Sequence, residues 1–116
     1  PQTLAPQSVN KIGARVWGLG TRERGRLLKD AKALEKAGCF AVVLEMVEPK
    51  LAGQITRALK IPTIGIGSGP RCHGQVLVTY DLLGLYPKPP RFVKPYADLS
   101  SQIQRAVKRF IASVKA

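Results

Sequence analysis

The chain has 116 residues, of which 45% are hydrophobic and 22% charged. That suits one small domain with a modest core and excludes a disordered or collagen-like chain, with Gly at 11 positions and Pro at 9. Nineteen Lys and Arg face seven Asp and Glu, a net charge of +12 that favours polyanions such as nucleic acid or anionic lipid, or gives a solvated basic face.

No apolar run approaches the roughly 20 residues of a membrane span, so no membrane association is expected. No charged-then-apolar leader opens the chain. It begins with Pro1, and we expect a processed product or part of something longer. Cys39 and Cys72 form no CxxC pair and no metal-type cluster with His73. They read as buried or semi-buried thiols in a reducing compartment, cytoplasmic or mitochondrial.

Residues 1–20, PQTLAPQSVNKIGARVWGLG, carry Pro, Gly, Ser and Asn throughout and predict a loop region. Thr21 suits the N-cap of a helix RERGRLLKDAKALEKAG, which Gly38 ends. Leu27, Leu28, Ala31 and Leu34 share one side of it, and Arg22, Arg26, Lys29 and Lys36 share the other. CFAVVLEMV, residues 39–47, is a continuous apolar run and predicts a strand buried on both faces in a parallel sheet.

Pro49 suits the first turn of the next helix, PKLAGQITRALK, with Leu51, Ile55, Ala58 and Leu59 inward. IPTIGIGSG predicts a second short strand ending in glycines, and GQVLVTY is a third, strand-like run. LYPKPPRFVKPY is extended or looped. A last helix begins near Asp98 or Ser100 within a C-terminal helical region 98–116. Ile103, Val107, Phe110 and Val114 form its expected buried stripe, and Arg105, Lys108, Arg109 and Lys115 point away. Helices alternating with buried runs imply an α/β fold.

Glu45 stands near the end of its strand, the edge of parallel α/β sheets that carries active sites. Partial burial there would raise its pKa and make it a general base; the bland reading is a loop carboxylate paired with a lysine. Glu48 precedes Pro49 and suits a helix N-terminus. GIGSG, residues 65–69, allows close approach of a ligand or simply makes a tight turn. Ser68 has no evident His and Asp partners for a hydrolase triad, and His73 reads as a surface loop residue. The aromatic residues are too scattered for a nucleic-acid stacking platform.

LAPQSVNKIG, DAKALEKAGCFAVVLEMV, LAGQITRALKIPTIGIGSGPRCHGQVLV and YDLLGL with PRFVKPYADL together resemble ketopantoate hydroxymethyltransferase, in order and over nearly the whole chain. The resemblance implies the C-terminal portion, about three βα units, of a TIM (β/α)₈ barrel, with 1–116 a single incomplete barrel segment. It implies hydroxymethyl transfer from 5,10-methylenetetrahydrofolate to 3-methyl-2-oxobutanoate in pantothenate synthesis. A Mg²⁺ ion polarises the keto acid, and a glutamate, here Glu45, takes the proton from its C3. It also implies decamers.

The family's metal ligands lie in an N-terminal half that this sequence does not contain. Three barrel strands cannot close, so that half or another chain is needed as partner. The family's HxGLTPQSVN is matched by PQTLAPQSVN, with Pro1 on the histidine, Thr3 on the glycine and Ala5 on the threonine. Two functions follow as expectations. One is a transferase part that is inactive alone. The other is a catalytically dead barrel fragment recruited by a ribonucleoprotein such as a mitochondrial ribosome. In the second, Arg22, Arg26, Lys29, Lys36, Arg105, Lys108, Arg109 and Lys115 would contact rRNA phosphates beside ribosomal proteins.

Overall fold

A computed structural model describes residues 16–86, 88–89, 91 and 93–116. The expected loop therefore lies outside the described residues for positions 1–15; positions 16–20 contain no helix. The chain divides into two compact units, residues 1–76 and 77–116.

The first unit opens with α1, Thr21–Lys36. Its N-cap is Gly20 rather than the expected Thr21, which lies in the first turn and makes no side-chain cap. The cap position falls to the residue whose backbone is still extended, and Gly20 has φ −95° and ψ 154°. At the other end Gly38, at φ 103°, turns the chain out of the helix. The Gly38 N–H donates to Glu35 O at 3.0 Å and Cys39 N–H to Leu34 O at 3.2 Å, which closes the last carbonyls of the helix.

Next come β1, Val42–Glu45; α2, Pro49–Ala58; β2, Thr63–Ile66; and β3, Gly74–Gln75. They form a parallel sheet of order β1-β2-β3, with Val42 opposite Thr63 and Glu45 opposite Ile66. Trp17 adds an isolated parallel bridge to Val47.

The core sits on one face of this sheet. Ala31 of α1, Val42 and Leu44 of β1, Val47, and Leu51, Ala52 and Ile55 of α2 with Leu59 form it, with Leu27, Leu28 and Leu34 packed alongside. The expected inward sides of both helices are thus observed, except that Ala58 is exposed. The second turn of α2 instead buries Ala52 and Gly53, because the stripe facing the sheet runs through Leu51, Ala52 and Ile55.

Three expectations for this unit change. β1 is not buried on both faces: Val42 and Leu44 are buried, but Val43 is 47% exposed. α1 and α2 pack on the side of Val42 and Leu44, and Val43 lies on the other side. The third apolar run is a strand only at Gly74 and Gln75; Val76 N–H still donates to Gly65 O at 3.0 Å, and Leu77 and Val78 then lead into a new helix. Cys39 is exposed rather than buried, since it follows Gly38 in the turn out of α1; Cys72 is half-buried, and both thiols are free.

The second unit holds a short helix, α3, Thr79–Leu82, and a long one, α4, Leu99–Lys115. Asp98 is the N-cap of α4, and its carboxylate accepts from the Ser101 N–H at 3.2 Å. The two helices are stitched by Tyr96 N–H to Leu82 O at 2.8 Å and Ser100 N–H to Gly84 O at 2.9 Å. The expected stripe Ile103, Val107, Phe110 and Val114 does form along α4, but none of it is buried, with Phe110 and Val114 each 69% exposed. Helical spacing fixes which side chains share a face; burial also needs a surface to pack against.

Candidate active site

Parallel pairing brings the carboxyl ends of β1 and β2 to one edge of the sheet, and Glu45 is the last residue of β1. Its register partner is Ile66, so it shares a face with Val43 and Ile64, opposite to the core-facing Val42 and Leu44. The side chain is half-buried, and burial pushes its pKa above the ordinary carboxylate value. Glu45 is therefore still in the sheet, at the edge where α/β proteins place their chemistry.

The next residue, Met46, has φ 54°, a left-handed conformation unusual for a residue with a side chain. Hydrogen bonds hold the turn around it. Met46 N–H donates to Ile66 O at 2.9 Å, and Met46 O accepts from Trp17 N–H at 2.7 Å. Glu48 N–H donates to Trp17 O at 2.8 Å. Ser68, fully buried, donates its hydroxyl to Leu44 O at 2.7 Å and accepts from Val47 N–H at 2.9 Å.

Glu48 stands at the N-terminus of α2, as expected. Its carboxylate accepts from Lys50 N–H and Leu51 N–H and pairs with Arg24 at 3.2 Å. Desolvation works to raise its pKa, but these hydrogen bonds and the Arg24 charge outweigh it and leave the value lowered. Arg24 also donates to Gly18 O and to Gln54 Oε1, tying the chain before α1 to α2. The two neighbouring glutamates thus have opposite environments: burial raises the pKa of Glu45, while hydrogen bonds and Arg24 lower that of Glu48.

GIGSG makes a tight turn, with Gly67 at φ 65° and Gly69 at φ 79°. A Cβ on Gly69 would lie 2.6 Å from Pro49 Cβ, so the close approach here is to the first turn of α2. His73 is exposed, and its Nδ1 accepts from Thr63 N–H at 3.1 Å, pinning the start of β2. Among the described residues no three His, Cys, Asp or Glu side chains lie together where a metal ion could bind. No helix there is long and apolar enough to cross a membrane.

The eight basic residues named from the sequence are all exposed: Arg22, Arg26, Lys29 and Lys36 on α1, and Arg105, Lys108, Arg109 and Lys115 on α4. Sequence reasoning missed the roles of Arg24 and Ser68. A signal for Ser68 was available: a hydroxyl in a glycine turn directly after a buried strand is itself buried and must find partners.

A parallel sheet flanked by helices makes this an α/β protein, with Glu45 at the carboxyl end of β1. The comparisons carry this to a family. The family model for ketopantoate hydroxymethyltransferase matches residues 3–116, and the chain belongs to that family. Over 114 residues it is 54% identical to the 3-methyl-2-oxobutanoate hydroxymethyltransferases of Carboxydothermus hydrogenoformans and Gloeobacter violaceus, covering 97% of this chain and 41% and 44% of those proteins. The enzyme of that name from Pyrobaculum calidifontis is 50% identical over 113 residues, with 43% of its length covered. The chain thus spans less than half the length of these relatives.

Proposed function

We propose that this chain is the C-terminal part of a (β/α)₈ hydroxymethyltransferase and supplies the proton acceptor for transfer from 5,10-methylenetetrahydrofolate to 3-methyl-2-oxobutanoate. The observation that carries this reading is Glu45, half-buried at the end of β1 with its pKa raised by desolvation. A carboxylate whose pKa is raised is a better base near neutral pH. It takes the proton from C3 of the keto acid; one C–C bond then forms from the enolate to the one-carbon unit, both C–N bonds of the folate methylene break, and water supplies the hydroxyl, leaving tetrahydrofolate.

Mg²⁺ and the folate belong to this reading through the family, and among the described residues no three ligand-type side chains are gathered for the metal. The uncovered side of β1 around Val43 and the exposed stripe of α4 are surfaces that the rest of a barrel would cover. We therefore take an N-terminal barrel portion as the partner, decamers as the assembly, and the chain alone as inactive. The test joins this chain to the N-terminal portion of a relative and follows ketopantoate formation. Activity in the joined protein, its loss in Glu45→Gln, and none in the 116-residue chain alone support the reading.

A second reading, recruitment to a ribonucleoprotein such as a mitochondrial ribosome, is favoured by one observation, the exposure of Arg22, Arg26, Lys29 and Lys36 on α1 and of all four basic residues of α4. It predicts co-sedimentation with ribosomal particles that is lost at high salt, with activity unrecovered in the joined protein.

A further inference from the structure

We propose that Ser68 is a positioning residue for Glu45: its buried hydroxyl fixes the backbone on both sides of that glutamate and so sets the direction in which the carboxylate leaves the sheet. The catalytic consequence rests on the role proposed for Glu45; the coupling between the two residues does not.

The geometry is specific. A hydroxyl has one proton to donate and lone pairs to accept with. Ser68 Oγ gives its proton to Leu44 O at 2.7 Å, with Ile66 O farther off at 3.4 Å, and accepts from Val47 N–H at 2.9 Å. Leu44 immediately precedes Glu45, and Val47 follows Met46. One side chain therefore brackets the two residues that make the turn. That turn needs holding, because Met46 sits at φ 54°, which a residue with a Cβ adopts only when its surroundings impose it.

Ser68 is itself fixed. It is fully buried, and it lies between Gly67 and Gly69, the latter pressed against Pro49 at the start of α2. The hydroxyl thus ties the turn after β2 to the turn after β1, across the edge where Glu45 emerges. Without it the Val47 N–H, buried with the rest of Val47, loses its acceptor, and the left-handed turn has a reason to relax. Displacements of about 1 Å at a reacting group cost up to about 100-fold in rate, so a hydroxyl that only orients its neighbour still matters to chemistry.

The experiment uses NMR on the 116-residue chain: the Glu45 side-chain carboxyl carbon is titrated, and the Val47 amide is followed by hydrogen exchange. Parent, Ser68→Ala and Ser68→Thr are compared, with Ser68→Cys, a weaker donor of similar shape, as the variant to use if alanine does not fold. The expected result is a Glu45 midpoint that moves toward the ordinary glutamate value in Ser68→Ala or Ser68→Cys, with Val47 exchange at least about 10-fold faster. Ser68→Thr, which keeps the hydroxyl, should restore both. Faster Val47 exchange with an unmoved Glu45 midpoint would make Ser68 a structural tie only and overturn the proposal. In the joined enzyme the same change should lower kcat and leave KM in place. Loss of activity in Glu45→Gln with full activity in Ser68→Ala would refute the positioning role alone. Full activity in Glu45→Gln would refute the role given to Glu45 and leave the NMR coupling standing as measured.

Discussion

Glu45 and Glu48 are three residues apart and respond to pH in opposite directions. Burial raises the pKa of Glu45 in the fold, so the folded state favours its neutral form. Its contribution to stability is complete below the unfolded value and is lost as pH rises through the folded value. Glu45→Gln should therefore melt higher than the parent at pH 7, and the gap should close as pH falls below about 4. Glu48 is the reverse case: its lowered pKa stabilises the fold above the unfolded value and is lost as pH falls through the folded one. Glu48→Gln should melt lower than the parent at pH 7 and converge with it in acid. Thermal melts of the three proteins across pH 3–8 test both signs.

Among the elements, α2 and α4 are both amphipathic, and they differ in what their apolar sides meet. Leu51 of α2 is 1% exposed in the core, so Leu51→Ala should cost about 2–5 kcal/mol in urea denaturation, a large share of the stability of a small domain. Phe110 of α4 is mostly exposed, and Phe110→Ala should stay within about 0.5 kcal/mol of the parent. This contrast also marks how far the sequence could be read. The order of the longer elements, the inward sides of α1 and α2, Glu48 at a helix start and Glu45 at a strand end were legible, because periodicity and capping chemistry are local; the short helix α3 was not, since Thr79 and Tyr80 continue an apolar run that reads as a strand. The exposure of Val43 and of the α4 stripe was not, since an apolar pattern does not say whether a covering layer is present. The Ser68 bracket was also hidden, because it joins residues more than 20 positions apart through a turn whose left-handed residue is a methionine rather than a glycine.

At the scale of the whole molecule, the chain belongs to a transferase family while spanning less than half the length of its relatives. Under the proposed reading, the exposed side of α4 is where the rest of the barrel rests. Phe110→Asp should then leave the isolated chain about as stable as the parent, yet prevent it from associating with a separately expressed N-terminal portion in size-exclusion chromatography. Equal association of variant and parent would remove α4 from that contact.

The most direct measurement is wash-in of deuterium at C3 of 3-methyl-2-oxobutanoate, followed by proton NMR in heavy water, with the chain joined to a relative's N-terminal portion and no folate added. Proton abstraction by Glu45 predicts exchange above the uncatalysed background in the parent, falling to that background in Glu45→Gln. Exchange at the parent rate in Glu45→Gln would contradict it.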